Sequence, residues 1–435
     1  MVDAPTWSEP NAQQRPLRIA EVTDNYGPGR NGLLYAVQQI EGTLLDAGHE
    51  VIVAAPRCGG PNPYANHPHR TEIRFPSVRV IGVPARVATG LRAERRLQRI
   101  EDMRPDVIHV HGLGPLGLLG TLLARRTGIP LVVTWHTDWD AYIEHYSLMT
   151  PVMAAAHRVW RLTSTGGDTD TEEAAAGRAR YADRGRAASE LLGGAAAMIG
   201  AATVVTTPSN KTARRVAELY GGRDVRTLPN GVDPLLPTPD RVVPRAPGVR
   251  FLYVGRISPE KGIVNLVRAF RIVNRLVPST ELMLVGDWRR DPSTRARLTR
   301  ERARLKALNL VGEVDRSLLG SYYAAADVFC FPSLTDTQGL VLHEAAHAGL
   351  PFISCDPELD LVVKAGVNAE LCTASPDAMA GAMLRMVDKV KDEAWRAKAA
   401  AASRSLAAEY TVAGQNAKML DLYREVAAKP RARRT

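Results

Sequence analysis

The chain has 435 residues, 45% of them hydrophobic and 23% charged, and a net charge of +10. That composition excludes a disordered or fibrous chain and suffices for two domains of about 100–200 residues each. The basic balance suits nucleic acid, an anionic membrane surface or phosphorylated substrates, and equally an arginine-rich surface with no partner.

Residues 1–16 are polar and proline-containing and are expected to form a disordered tail. "LRIAEVTD" then reads as a short strand and "GPGRNG" as a loop. "LLYAVQQIEGTLLDAGHE" has apolar residues at helical spacing and stops at Gly48, and "VIVAAP" is the next strand. Strand, loop, helix and strand make a βαβ unit, which predicts a parallel sheet. "LRAERRLQRIEDMR" at 91–104 is a basic helix. "DVIHVHG", "PLVVTWHTD" and "TVVTTPS" are strands, with helices "PLGLLGTLLARRTG" and "NKTARRVAELYG". The segment 164–186 is acidic and then basic, and reads as an inserted loop or loose helix. "VRTLPNGVD" reaches a turn, and "LLPTPDRVVPRAPG" is a proline-rich linker.

After the linker the alternation restarts. "RFLYVGR", "ELMLVGD", "DVFCFPS" and "PFISC" are strands, "KGIVNLVRAFRIVNRL", "SLLGSYYAAA" and "LVLHEAAHAG" are helices, and 376–427 is a helical run. The fold class is therefore α/β, with two doubly wound domains. Two stretches, 107–124 and 191–210, are uncharged over about a bilayer span. The first is broken by His109, His111, Pro115 and glycines and the second is only weakly apolar, so neither reads as a membrane helix. No secretory signal is expected at the start. Cys58, Cys330, Cys355 and Cys372 lack metal-ligand spacing and read as free thiols in a reducing cytoplasm.

Ligands of open α/β sheets bind beyond the carboxyl ends of strands, near helix N-termini. Gly27, Gly29 and Gly32 lie between the first strand and helix, where glycine lets backbone approach an anion. A plain turn explains them as well. In "VGRISPEKG", Arg256 follows a strand and Lys261 begins a helix. Two cations there suit a diphosphate, although a solvated pair with Glu260 also fits. His136, at the end of the "VTWH" strand, is either a partner for a sugar hydroxyl or a structural histidine. In "FPSLTDTQGLVLHEAAHAGLP", Asp336 sits in a loop and Glu344 in the next helix. Such carboxylates bind vicinal hydroxyls of a ribose or hexose, or flank a bond as an acid/base pair. Glu344 could equally serve only the helix dipole. No metalloprotease, paired-cysteine, P-loop or nucleophile-elbow motif is present.

Taken together, these segments resemble the family 4 retaining glycosyltransferases of GT-B fold, nearest the branch of lipid glucosyl- and mannosyltransferases. The likeness runs from about Leu17 to the last helix. It rests on "RNGLLYAVQQIEGTLLDAGHEV", "PDVIHVHG", "TWHTD", "LPNGVD", "VGRISPEKG" and "PSLTDTQGLVLHEAAHAGLP", in that order. The resemblance implies two Rossmann-like domains facing each other across a cleft. An acceptor domain would span 17–228 and a nucleotide-sugar domain 229–412. A helix in 413–435 would return to the first domain and end in a basic tail.

The resemblance also implies roles. Arg256 and Lys261 would hold the donor diphosphate, Glu344 the ribose and Asp336 the sugar hydroxyls. The amides around Gln338, Gly339 and Leu340 would meet sugar or phosphate, His136 would lie near the anomeric centre, and Gly32 would admit the phosphates. Arg256, Lys261, His136 and Asp336 would form the catalytic set. The nucleoside-diphosphate sugar is the only co-substrate implied, with no cofactor and no essential metal. Transfer would retain anomeric configuration through an oxocarbenium-like state, with the cations stabilising the departing diphosphate. Domain closure would exclude water. The first acidic position of the motif is usually Glu in the family, and Asp336 reaches less far, which puts the donor sugar in question.

The expected acceptor is a membrane lipid or lipid-linked hydroxyl. A small molecule of antibiotic or phosphoglycolipid biosynthesis is the alternative, and a catalytically silent nucleotide-sugar binder is the alternative of another class. A cytoplasmic protein in peripheral contact with an anionic leaflet would use the basic 91–104 helix, which also reads as a plain solvated face. Nucleic acid is not an expected partner, since no aromatic-basic platform accompanies the charge.

Overall fold

The computed structural model describes residues 15–27, 32–58, 62–79, 86–89, 92–112, 114–137, 150–151, 154–155, 158, 172–220, 224–239, 243–244, 248–289 and 291–429. Most of the expected 1–16 tail, Gly29, and 164–171 of the expected insertion lie outside these residues. The chain divides into two units, residues 1–229 with 415–435, and residues 230–414.

The first unit holds β1 (Arg18–Val22), β2 (Glu50–Pro56), β3 (Arg70–Phe75), β4 (Ser77–Arg79), β5 (Arg86–Ala88), β6 (Val107–Val110), β7 (Leu131–Thr134), β8 (Val204–Thr207) and β9 (Val225–Thr227). Seven of them form a parallel sheet in the order β3-β2-β1-β6-β7-β8-β9, while β4 and β5 pair antiparallel. Helices cover both faces, so the central strands are buried runs rich in Val and Ile. One face packs Ile52, Ile73, Leu97, Ile108, Leu119 and Met198. The other packs Leu34, Val37, Leu44 and Val53 against Met419, Tyr423 and Val426 of the helix Val412–Ala427. The helix Pro115–Thr127 starts with proline at its first turn. Its free amides at Leu116 and Gly117 donate to the Asp24 carboxylate at 2.9 and 3.2 Å. The strand order reverses between β1 and β6.

The second unit holds β10 (Arg250–Val254), β11 (Glu281–Val285), β12 (Leu308–Gly312), β13 (Val328–Phe331), β14 (Phe352–Ser354) and β15 (Ala369–Leu371). They form one parallel sheet in the order β12-β11-β10-β13-β14-β15, reversing between β10 and β13. The helix Ile263–Leu276 buries Ile263, Leu266, Val267, Phe270 and Val273, an apolar stripe at helical period. Ser375 and Asp392 cap the helices Pro376–Lys389 and Glu393–Ala408 with their side-chain oxygens.

Each unit is thus the doubly wound α/β body expected. Several elements are additional to the sequence reading: β3, β4, β5, β9, β12, β15 and the helices Arg186–Ala201 and Pro292–Arg304. In the segment 164–186, Glu172–Arg180 is helical, and Ser189 Oγ donates to the carbonyl of Arg178. The stretch 107–124 is β6 and part of the following helix, and 191–210 ends the helix Arg186–Ala201 and contains β8. Among the described residues no helix is long and apolar enough to cross a membrane.

The ends of β10 and β11 meet where glycine is required. Gly286 has φ 153°. A Cβ there would lie 1.9 Å from the Gly255 carbonyl oxygen. Gly286→Ala is expected to cost about 2–4 kcal/mol of stability, from backbone strain plus overpacking. Urea denaturation checks this, and an unchanged midpoint would show that the β10–β11 junction is slack.

Candidate functional site

In the second unit the site grows from the reversal point. The turn after β10 presents Arg256, a short 3-10 turn over Pro259–Lys261 follows, and Gly262 at φ 69° starts the next helix. A Cβ on Gly262 would come within 2.8 Å of the Pro332 carbonyl, so the Lys261 turn lies against the loop after β13. That proximity brings Lys261 Nζ to Asp336 Oδ1 at 2.9 Å. Lys261 is buried, not solvated, and only a quarter of the Asp336 side chain is exposed. Burial works to raise the Asp336 carboxyl, but Lys261, the Ser333 hydroxyl and Arg256 outweigh it and hold the group below its ordinary range. Arg256 itself is exposed and lies 3.3 Å from Glu260, whose side chain is nearly buried.

The loop from Asp336 to the helix Leu340–His347 is fixed by Gln338. Its Oε1 accepts from the Asn230 backbone N–H at 2.9 Å and from Asn230 Nδ2 at 2.8 Å, and its Nε2 donates to the Asn230 carbonyl at 2.9 Å. The Gln338 side chain is therefore a staple that ties this loop to Asn230. Gly339 takes φ 71° to turn the chain into the helix, and Leu340 opens it. Glu344 is buried one turn on. Arg316 Nη1 donates to its Oε1 at 2.5 Å and Tyr323 Oη to its Oε2 at 2.7 Å. Asp336 and Glu344 thus have separate partners, Lys261 for one and Arg316 with Tyr323 for the other. Each oxygen of the ionised Glu344 carboxylate has room for a second donor.

Gly32 and His136 belong to the first unit. Gly32 is exposed at the start of its helix. His136 follows β7, and its Nε2 lies 3.1 Å from His111 Nδ1. Burial, followed by the neighbouring His111 and His109, keeps the His136 imidazole well below its usual range. Behind it lies a buried network. His111 Nε2 is 2.5 Å from Glu21 Oε2, and Tyr423 Oη donates to Glu21 Oε1 at 2.9 Å. His109 reaches Tyr423 Oη and Thr134 Oγ1, each at 2.6 Å. Glu21, His109 and His111 turn one ligand-type atom each to within 4.8 Å of the others. All four ring nitrogens of the two histidines already have hydrogen-bond partners, so the donor set is that of a proton-ordered network.

The sequence reading passed over Glu21, His109, His111 and Tyr423 as site residues, and Arg316 and Tyr323 beside Glu344. The signal was present for some of them. "HVH" places two histidines on one face of a strand, and a lone Glu in the apolar run "RIAEV" must be paired when buried.

Two family models match the chain. Glycosyltransferase Family 4 covers residues 31–235, and Glycosyl transferases group 1 covers residues 248–389. The chain belongs to glycosyltransferase family 4. This family 4 chain is 26% identical over 369 residues to the alpha-monoglucosyldiacylglycerol synthase of Acholeplasma laidlawii, covering 81% of this chain and 84% of that one. It is 29% identical over 346 residues to the D-inositol 3-phosphate glycosyltransferase of Nocardiopsis dassonvillei, covering 75% and 72%. Its structure is similar to that of the sucrose-phosphate synthase from Thermosynechococcus elongatus, with a TM-score of 0.68 at 20% identity over 95% of this chain and all of that one. The fold is accordingly GT-B and the family 4 chain is a hexosyltransferase. Family 4 enzymes use nucleotide-sugar donors.

His343, on the same helix as Glu344, gives the second unit a pH dependence. It is buried, with Nε2 3.3 Å from Gln338 Nε2. Burial, and then His347, lower its pKa from 6.5 to about 3. The unfolded chain therefore binds a proton that the folded unit refuses, and stability falls as pH drops below 6.5. Between pH 7 and 5 the His343 contribution to this loss is about 2 kcal/mol. Urea midpoints at the two pH values are expected to differ less in His343→Gln than in wild type. Equal differences would mean that His343 takes up its proton freely in the folded chain.

Proposed function

We propose that the chain transfers a hexose from a nucleoside-diphosphate sugar to an acceptor hydroxyl on a membrane lipid or lipid-linked intermediate, with retention at the anomeric carbon. The observation that carries the donor half is the Lys261–Asp336 pair at the reversal point of the second sheet. An ammonium has three donors, so Lys261 can keep Asp336 and still reach a phosphate oxygen. Asp336 then serves twice: it aims Lys261 and accepts from hydroxyls of the sugar. Arg256, exposed beside it, adds a second cation for the diphosphate. The amides of Gln338, Gly339 and Leu340 follow, and Glu344, held by Arg316 and Tyr323, offers its remaining lone pairs to the ribose hydroxyls.

In this reading the chain supplies charge more than covalent chemistry. As the glycosidic bond breaks, negative charge grows on the diphosphate, and Lys261 and Arg256 stabilise it where it develops. The acceptor attacks on the face the diphosphate leaves, so neither carboxylate acts as a nucleophile. The family resemblance assigns His136 to the anomeric centre of the sugar and Gly32 to the phosphates. The lipid acceptor is supported by the Acholeplasma relative, whose name states a glucosyldiacylglycerol product, while the inositol-phosphate relative marks how far acceptors vary among similar chains.

The helix Ala93–Asp102 supports contact with an anionic leaflet. Arg95 and Arg99 are exposed, whereas Arg96 is turned inward to the Arg74 carbonyl. At about 1 kcal/mol per arginine near such a surface, the double change of Arg95 and Arg99 to Gln is expected to weaken binding to phosphatidylserine-containing vesicles about 30-fold. Equal sedimentation of both proteins with the vesicles would remove this helix from the reading.

A thermal-shift panel of nucleotide sugars, followed by an acceptor screen with the stabilising donor, tests the whole proposal. Lys261→Ala is expected to lower kcat by about 10²–10³-fold, the size of losing one charge-stabilising donor. Glu344→Ala is expected to act mainly on donor KM. A wild-type chain that binds and turns over no nucleotide sugar sinks the proposal, and binding without turnover makes the chain a silent binder.

A further inference from the structure

The charge of Glu21 raises a question that the donor site does not answer. Glu21 lies in the middle of the first sheet, on β1, in register with His109 of β6. It is fully buried. No lysine or arginine among the described residues is paired with it. The groups facing it are His109 and His111 from β6 and its end, and Tyr423 from the helix Val412–Ala427. Glu41, on the helix Gly32–Asp46, is already paired with Arg70.

A buried carboxylate without a counter-charge is costly, and one imidazolium balances it. Of the two histidines, His111 is the nearer, at 2.5 Å against 3.3 Å for His109. The rings of His109 and His111 are 3.8 Å apart, too close for both to be charged. His109 is satisfied as a neutral ring between the Tyr423 and Thr134 hydroxyls.

We propose that Glu21 and His111 form a buried carboxylate–imidazolium pair that fixes the tautomer of His136. A cationic His111 donates from both nitrogens: Nε2–H to Glu21 Oε2, and Nδ1–H to His136 Nε2 at 3.1 Å. His136 must then accept at Nε2 and carry its own proton on Nδ1. Burial and the adjacent positive charge both favour the neutral His136 ring, in keeping with its depressed basicity. Glu21 is thus a positioning residue that acts through His111 and makes His136 a hydrogen-bond donor. Its bearing on catalysis rests on the proposed role of His136 beside the donor sugar.

Full-length protein with ¹⁵N-labelled histidine tests this by two-bond ¹⁵N–¹H correlation at pH 7.5, with assignments from His111→Asn and His136→Asn. The wild-type spectrum is expected to show His111 protonated on both nitrogens and His136 neutral with its proton on Nδ1. A neutral His111, or His136 protonated on Nε2, overturns the proposal, and this needs no folded variant at Glu21. Glu21→Gln, nearly isosteric, is expected to neutralise His111, release the His136 tautomer and lower kcat about tenfold to a hundredfold at unchanged donor KM, while Glu21→Asp restores both signals in part. Unaltered His111 and His136 signals in Glu21→Gln refute the coupling. The expected spectra with unchanged kcat in both Glu21→Gln and His136→Asn uphold the pair and refute the catalytic placement of His136 instead.

Discussion

Strands covered on both faces leave no water for a polar side chain, so each such group among them must be matched inside the protein. In the first unit that constraint falls on Glu21, and much follows from how it is met. The carboxylate recruits His109 and His111 from the neighbouring strand and Tyr423 from a helix made some 400 residues later. His109 draws in Thr134, and Thr134 draws in Thr206 at 2.6 Å, so order spreads over β6, β7 and β8. Four elements are thereby keyed to one charge, and the same ladder ends on His136, at the mouth of the sheet.

The second unit meets the constraint differently. Its central strands are largely apolar: the buried Arg250–Glu281 pair closes the starts of β10 and β11, while Lys261 with Asp336, and Glu344 with Arg316 and Tyr323, are gathered by loops and helix starts at the carboxyl ends. Glycines at the junctions make this possible, since Gly262 and Gly286 bring backbones closer than a side chain allows. The two units share a winding pattern but distribute polarity differently: one is ordered from within, the other at its rim.

The central strands were legible in the sequence because runs such as "VIVAAP" and "LMLVG" tolerate no other reading at that length. The missed elements were those whose signals are weakest in principle. β3 reads "RTEIRF", an edge strand in which the apolar Ile73 and Phe75 alternate with charged residues, one of them, Arg70, buried against Glu41, and β9 and β15 are three residues long. The helix Pro292–Arg304 buries only Thr294 and Leu298, so its apolar period is almost absent. Arg256, Lys261 and Asp336 could be picked out because they follow strands in short, chemically distinctive loops, and Glu344 because it lies in the helix after one. What sequence alone could not supply was partnership across distance: that Lys261 faces Asp336, that the Gln338 side chain is spent on Asn230, or that Tyr423 reaches Glu21.

That last contact has a consequence for biosynthesis. Residues 415–427, with Met419, Leu422, Tyr423 and Val426, close one face of the first unit's core. They leave the ribosome only after every residue of the second unit has been made. The first unit therefore begins folding early and cannot finish until the rest of the chain is present, holding an uncovered apolar face and an incompletely paired Glu21 while it waits. Order of synthesis and order of completion are reversed, and the interval between them is when the nascent protein most needs a chaperone.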